Sequence, residues 1–181
     1  MAVILGLKMD QVRSLCEEAS DGEVVAPANY NGGGQIVIAG AKKAVARAVA
    51  LAKERGAKRV LDLPVSAPFH CELMRPAAER LSQALDPIAM RPLSLGVITN
   101  VEAEVNQDAD RVKSLLTEQA VRPVRWEESV RRLEALGCRR IFEVGPGKVL
   151  KGLIKRISSS LEVENFAAAQ DLARARQESP A

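Results

Sequence analysis

The sequence predicts an α/β protein built in two parts, and three observations predict it. Residues 1–63 read strand, helix, strand, strand, helix, strand, which is the split βαβ or ferredoxin-like order. Residues 64–166 then alternate helices and strands, the pattern of a parallel sheet with crossover helices. The composition points to a core of one chemistry. Of 181 residues, 47% are apolar but only 3% aromatic, so Leu, Val, Ile and Ala must fill the interior.

Each element has a local reason. Residues 2–7 (Ala-Val-Ile-Leu-Gly-Leu) form an apolar run of buried-strand length. Residues 9–19 place Val12, Leu15 and Cys16 on one helical face. Residues 23–30 read as a strand interrupted by Pro27, 31–34 (Asn-Gly-Gly-Gly) as a turn, and 35–39 as a second strand, so that the two can form a hairpin. Residues 41–55 bring Val45, Val49 and Ala52 to one face of a helix that stops at Gly56. Residues 58–63 close the unit as a fourth strand. In the second part, 74–85 is helical with Pro76 tolerated in its first turn, and 93–101 reads as a buried strand. Residues 108–120 read as a helix with Val112, Leu115 and Leu116 inward, and Pro123 breaks it. A helix at 126–136 stops at Gly137. A strand at 140–144 meets a tight turn at 145–147, then a helix at 148–157 with Leu150, Leu153 and Ile154 inward, then a short strand at 162–166. Three strands are too few for a parallel sheet covered on both faces. The chain therefore reads as a complete small subdomain, 1–63, joined to an incomplete α/β domain, 64–166, with an alanine-rich polar tail, 167–181.

Composition excludes several function classes. The 26 basic and 23 acidic residues are intermixed for a net charge of +3, and aromatics for stacking on bases are scarce, so no nucleic-acid footprint is present. A mildly basic surface does suit an acidic partner. Cys16, Cys71 and Cys138 are odd in number and widely spaced, which suggests neither a disulfide framework nor a zinc site and fits a reducing cytoplasm. No apolar run approaches the length of a membrane span, and the start lacks the basic segment of a signal peptide.

The strongest chemical signal is Val65-Ser66-Ala67-Pro68-Phe69-His70-Cys71, which holds the only histidine. An imidazole at a strand-to-helix junction titrates near neutral pH and sits on a loop held by a rigid frame, as a general base requires. The alternative is a capping or core-edge histidine. Cys71 beside it makes an improbable partner, because adjacent side chains diverge. Asn29-Tyr30-Asn31-Gly32-Gly33-Gly34-Gln35 could admit an anion to its backbone amides, but reads first as a hairpin turn; no Walker motif is present. Glu143-Val144-Gly145-Pro146-Gly147-Lys148 could likewise bind an anion at a helix start, but reads first as a tight strand–helix connection. No G-x-S-x-G nucleophile elbow and no H-E-x-x-H metal motif occur.

Taken together and in order, several segments resemble the malonyl-CoA:acyl carrier protein transacylase family. They are Met1 through Leu7, Ala28-Asn29-Tyr30-Asn31, Gly34 through Gly40, Pro64 through Cys71 with Leu73-Met74 and Pro76-Ala77-Ala78, then Gln119, Pro123-Val124-Arg125-Trp126, and Glu143 through Leu150. The resemblance implies an α/β-hydrolase-like large subdomain with an inserted ferredoxin-like small one. It implies transfer of malonyl from malonyl-CoA to the phosphopantetheine thiol of acyl carrier protein, by a ping-pong Ser/His mechanism in the cytoplasm and without a cofactor or metal. His70 matches the family's catalytic histidine, and Gln119 the residue whose backbone carbonyl orients it. Phe69 matches the side chain that helps to select malonyl, and Asn31 and Gln35 match a small-subdomain loop near the cleft.

The departures carry equal weight. The family's serine nucleophile, its carboxylate-binding arginine and the glutamine of its oxyanion region have no counterpart in these 181 residues. Met1 matches an internal family position, which implies a misassigned start or a truncated gene. Three readings follow: a transferase portion inactive alone, a carrier-protein-binding remnant or split-enzyme half that uses Arg122, Arg125 and Arg131 on an acidic partner, or an unrelated ferredoxin-like binding domain. The exposed sheet edge is also expected to make the chain associate.

Overall fold

A computed structural model describes residues 1–168 and Asp171. By internal contacts the chain divides into Met1–Ser129 and Val130–Ala181.

In the first unit, β1 (Ala2–Leu5), α1 (Met9–Ser20), β2 (Val25–Tyr30), β3 (Gln35–Gly40), α2 (Lys42–Glu54) and β4 (Arg59–Asp62) build a four-stranded sheet in the order β2-β3-β1-β4. All three pairings are antiparallel. This is the ferredoxin-like arrangement expected from residues 1–63. Pro27 stays within β2 because the register shifts between Pro27 and Asn29; a bulge absorbs the missing amide donor. Strand alternation sorts the side chains onto two faces. Ala2, Ile4, Ile36 and Ile38 join Val12, Leu15, Ala44 and Ala48 of the two helices in one aliphatic core. Val3, Val37 and Ala39 turn to the opposite face, where Ala28 and Cys71 cover them. Gly40 permits a close approach of the chain entering β2: a Cβ on it would lie 2.1 Å from the Val24 carbonyl oxygen.

After the 3₁₀ turn Glu72–Met74 come α3 (Arg75–Leu85), β5 (Val97–Ile98), β6 (Val105–Asn106) and α4 (Val112–Gln119), the last preceded by another 3₁₀ turn, Ala109–Arg111. Helix α5 (Trp126–Ala135) contains the division between the units.

In the second unit, β7 (Arg140–Val144) and β8 (Glu162–Phe166) pair in parallel, and α6 (Val149–Ile157) crosses between them. Leu153, Ile154, Ile157, Leu161, Val163 and Phe166 are buried. The Phe142 and Phe166 rings meet edge to face at 5.2 Å.

Three expectations need correction. The buried strand at 93–101 is only the two-residue β5, paired antiparallel with β6, so parallel pairing does not run through the whole second part. Leu95 is 77% exposed and Val97 is 53% exposed. The reason is local: the Thr99 amide bonds the Glu104 carbonyl at 3.1 Å, and Ala103 adopts φ 57° to close a hairpin. An apolar run alone does not distinguish a buried strand from such a segment. Leu116 faces outward while its neighbour Leu115 is buried, since adjacent helical positions point about 100° apart. Leu150 is also exposed, in the first turn of α6. The expected tail, 167–181, lies almost wholly outside the described residues.

Candidate active site

The segment after β4 crosses the sheet face opposite the helices. The Leu63 amide bonds the Met1 carbonyl at 3.1 Å, and the Val65 amide bonds that of Leu63 at 2.8 Å. Cys71 is 2% exposed and packs with Val3, Val37 and Ala39. Its thiol donates to the Pro68 carbonyl at 3.1 Å. Burial raises the Cys71 thiol pKa, so the group stays protonated and serves as an anchor.

That anchor leaves His70 at φ 62°, the left-handed region that L-residues other than Gly enter at a cost of ~1–2 kcal/mol. Two contacts hold it there. The His70 backbone N–H donates to the Ala120 carbonyl at 3.2 Å. Ring Nδ1 lies 2.7 Å from the Gln119 carbonyl oxygen. Both oxygens belong to the last turn of α4, where helical carbonyls lack intrahelical partners. The histidine and the helix end thus complete each other. A carbonyl oxygen only accepts, so Nδ1 carries the hydrogen and the Nε2 lone pair is left available.

The Gln119 side chain has its own partner: Asn100 Nδ2 donates to Gln119 Oε1 at 3.0 Å. The Asn100 carbonyl accepts from the Arg125 amide at 2.9 Å, and Arg125 Nη1 donates to the Glu102 carbonyl at 2.9 Å. Val124 extends the edge of β2, donating to Ala28 and accepting from Tyr30, each at 2.8 Å. Asn100 was missed in the sequence. It is one polar residue at the end of an apolar run, and nothing in its spacing pairs it with Gln119.

Phe69 is 43% exposed beside His70. Asn31 and Gln35 flank the β2–β3 hairpin loop, closed by the Asn31 amide on the Gln35 carbonyl at 3.0 Å. Gln35 lines a cavity of about 440 Å³ with Lys8, Tyr30 and Lys58, and neither His70 nor Gln119 is on its wall. Arg122, Arg125 and Arg131 each face a carboxylate: Glu118, Glu128 and Glu134 respectively. The hydrogen bond from Arg125 holds the Glu128 carboxyl below its usual pKa.

The Glu143 to Lys148 connection provides its own anion. Glu143 accepts from the Leu150 amide at 2.9 Å and from the Lys151 amide at 3.0 Å, which occupies donors at the start of α6. Asn165 Nδ2 donates to the Gly147 carbonyl at 2.8 Å and fixes the turn. Among the described residues no cluster of His, Cys, Asp and Glu could hold a metal ion, and no helix is long and apolar enough to cross a membrane.

Comparison with known proteins gives this geometry a context. The model of the acyl transferase domain family matches residues 5–179. The malonyl CoA-acyl carrier protein transacylase of Escherichia coli strain K12 is 47% identical over 161 residues, covering 89% of this chain and 52% of that protein. An acyl carrier protein S-malonyltransferase from Vibrio cholerae superimposes with a TM-score of 0.92 at 44% identity, over 96% of this chain and 57% of that one. A malonyl-transacylase solved in complex with its type II PKS acyl-carrier protein gives 0.93 at 39% identity, over 98% and 58%. The chain spans about half the length of the curated relatives it matches, and the α/β, two-subdomain fold expected from the sequence is the fold of these enzymes. On a family match across nearly its whole length, the chain belongs to the acyl transferase domain family.

Proposed function

We propose that this chain carries the histidine-bearing portion of a malonyl-CoA:acyl carrier protein transacylase. The observation that carries the reading is the 2.7 Å contact between His70 Nδ1 and the Gln119 carbonyl, which leaves Nε2 as a base of fixed direction. In the proposed reaction, a serine hydroxyl supplied by a segment outside these 181 residues attacks the malonyl thioester carbonyl. His70 Nε2 takes the hydroxyl proton. The tetrahedral intermediate collapses, the C–S bond breaks, and the imidazolium returns the proton to the departing CoA sulfur. The phosphopantetheine thiol of acyl carrier protein then gives its proton to Nε2 and attacks the malonyl ester, and serine leaves with the proton. Gln119 accepts from Nδ1 throughout. The cycle uses no metal or cofactor.

On the same reading, Phe69 limits the space at the acyl α-carbon, and Asn31 and Gln35 act from the small-subdomain loop. Residues 1–63 are the small subdomain, 64–166 part of the large one, and 167–181 a tail. The acidic carrier protein is the macromolecular partner, and the relative solved with its acyl-carrier protein supports that assignment.

The chain alone is expected not to transfer malonyl, because the covalent route has no nucleophile. Joined to a segment that supplies the serine, it is expected to be active, and His70→Ala is expected to cut turnover by roughly 10²–10⁴. Unchanged turnover in that variant would overturn the reading. A split transferase is the second reading, favoured by the exposure of Leu95 and Val97 in one unit and of Val144 and Val149 in the other. It requires that a separately made nucleophile segment restore transfer on mixing; activity obtained only with the fused chain excludes it.

A further inference from the structure

We propose that Asn100 is a positioning residue for His70, acting through the side chain of Gln119. The inference rests on the reading of His70 as the base, but its geometry stands independently. Gln119 is the last residue of α4, where helix ends fray because the final carbonyls have no intrahelical partner. The carbonyl that fixes the imidazole lies in the last peptide of the helix, whose Ala120 amide bonds the Thr117 carbonyl at a long 3.2 Å. The Gln119 side chain is restrained by the 3.0 Å bond from Asn100 Nδ2 to Gln119 Oε1.

Asn100 is itself well held. Its carbonyl accepts from the Arg125 amide at 2.9 Å, Val101 beside it is 4% exposed, and the Arg125 guanidinium grips the Glu102 carbonyl of the same loop while pairing with Glu128. Val124, one residue before Arg125, is bonded into the edge of β2. A continuous path therefore runs from the central sheet through Val124, Arg125, Asn100 and Gln119 to His70.

There is also room for Gln119 to move when released. Asn100 and Gln119 share the wall of a cavity of about 220 Å³, otherwise lined largely by apolar side chains such as Leu93, Val112 and Leu116. Once Asn100 is truncated, the Gln119 amide loses its partner and has space into which it can turn. The helix-terminal peptide then reorients, and the Nδ1 contact weakens.

The test is spectroscopic and needs no turnover. His70 is the only histidine, so the imidazole ¹⁵N spectrum of the full 181-residue chain holds one spin system. In the unmodified chain at a pH where the ring is neutral, the Nδ1–H tautomer is expected to dominate. In Asn100→Ala it is expected to become the minor form, with Nε2–H taking over. Gln119→Ala keeps the backbone carbonyl but removes the side chain that Asn100 grips. It is expected to shift the tautomers the same way, and the double variant no further. Gln119→Ala sits at a partly exposed helix end, so it serves if Asn100→Ala fails to fold. An unmodified Nδ1–H signature in folded Asn100→Ala, or in Gln119→Ala, overturns the proposal. That result leaves the base assignment intact, since the assignment is tested separately by turnover of His70→Ala.

Discussion

The backbone of His70 offers a test that separates conformation from chemistry. At an ordinary strand or helix position, Gly is less stable than Ala by roughly 0.5–1 kcal/mol, because Gly loses more chain entropy on folding. At φ 62° the Cβ of Ala adds ~1–2 kcal/mol that Gly does not incur. The two effects oppose each other, and the steric one is larger. His70→Gly is therefore expected to be at least as stable as His70→Ala, with a margin of about 0–1.5 kcal/mol, against the usual order. Both variants lose the ring contact to Gln119 and keep the backbone N–H that donates to Ala120, so those terms cancel in the comparison. Urea unfolding followed by the fluorescence of Trp126, the single tryptophan, measures the difference. If His70→Ala is the more stable variant, the left-handed backbone is wrong, and with it the route by which the ring reaches the end of α4.

Further predictions follow from other contacts. Gly40→Ala would place a Cβ 2.1 Å from the Val24 carbonyl oxygen and 2.6 Å from Val25 Cα; both are backbone atoms, so the expected loss is at least ~1–3 kcal/mol, and a variant within about 0.5 kcal/mol of the parent contradicts the β2–β3 register. The Glu128 pKa is depressed by its bond from Arg125, so its stabilisation is present above the ordinary carboxylate range and is lost as pH falls through the lower folded value. Both side chains are over one-third exposed, which limits the term to roughly 0.2–1 kcal/mol. The stability gap between the parent and Glu128→Gln should therefore close on acidification, and a gap that widens refutes the pair. Burial pushes the Cys16 thiol up to about 12, so at pH 8 a thiol reagent should label half-buried Cys138 and reach Cys16 only on unfolding. On the proposed function, Phe69→Ala should relax discrimination against methylmalonyl by about 10–200-fold, the range for one methyl group in a pocket; unchanged selectivity removes Phe69 from the acyl site.

Legibility in the sequence followed the distance over which each feature is determined. The order of strands and helices in residues 1–63 could be read because every element there buries one face against another element of the same unit: Val12, Leu15 and Cys16 of α1, and Ile36 and Ile38 of β3, all reach one core. Periodicity reports burial, and there burial is extensive, β4 with its 39% exposed Leu61 being the weakest case. At 93–101 the same apolar signal misled. Leu95 and Val97 are exposed, and the segment turns back on β6 through Thr99, Ala103 and Glu104. Hydrophobicity marks a segment that needs a partner without naming it, and a two-residue ladder satisfies only part of that need. Leu116 and Leu150 failed more simply, because a helical face is narrower than a list of its apolar residues.

The candidate site divides along the same line. His70 could be found because a lone imidazole between a strand and a helix is conspicuous in one dimension. Its contact with Gln119 spans 49 positions, and the spacing of residues alone did not single Gln119 out; the family resemblance did. Asn100 had neither advantage. Its role exists only once α4 ends beside the hairpin 99–104, with Arg125 closing the far side. Such residues are single polar side chains that each satisfy one neighbour. On the proposed function, a base that must hold one tautomer needs them, since the carbonyl fixing Nδ1 lies at the end of α4, where the last carbonyls look beyond the helix for partners. On the same proposal, the sequence shows which residue has the chemistry; which residues aim it is decided by where helix ends and loops meet in three dimensions.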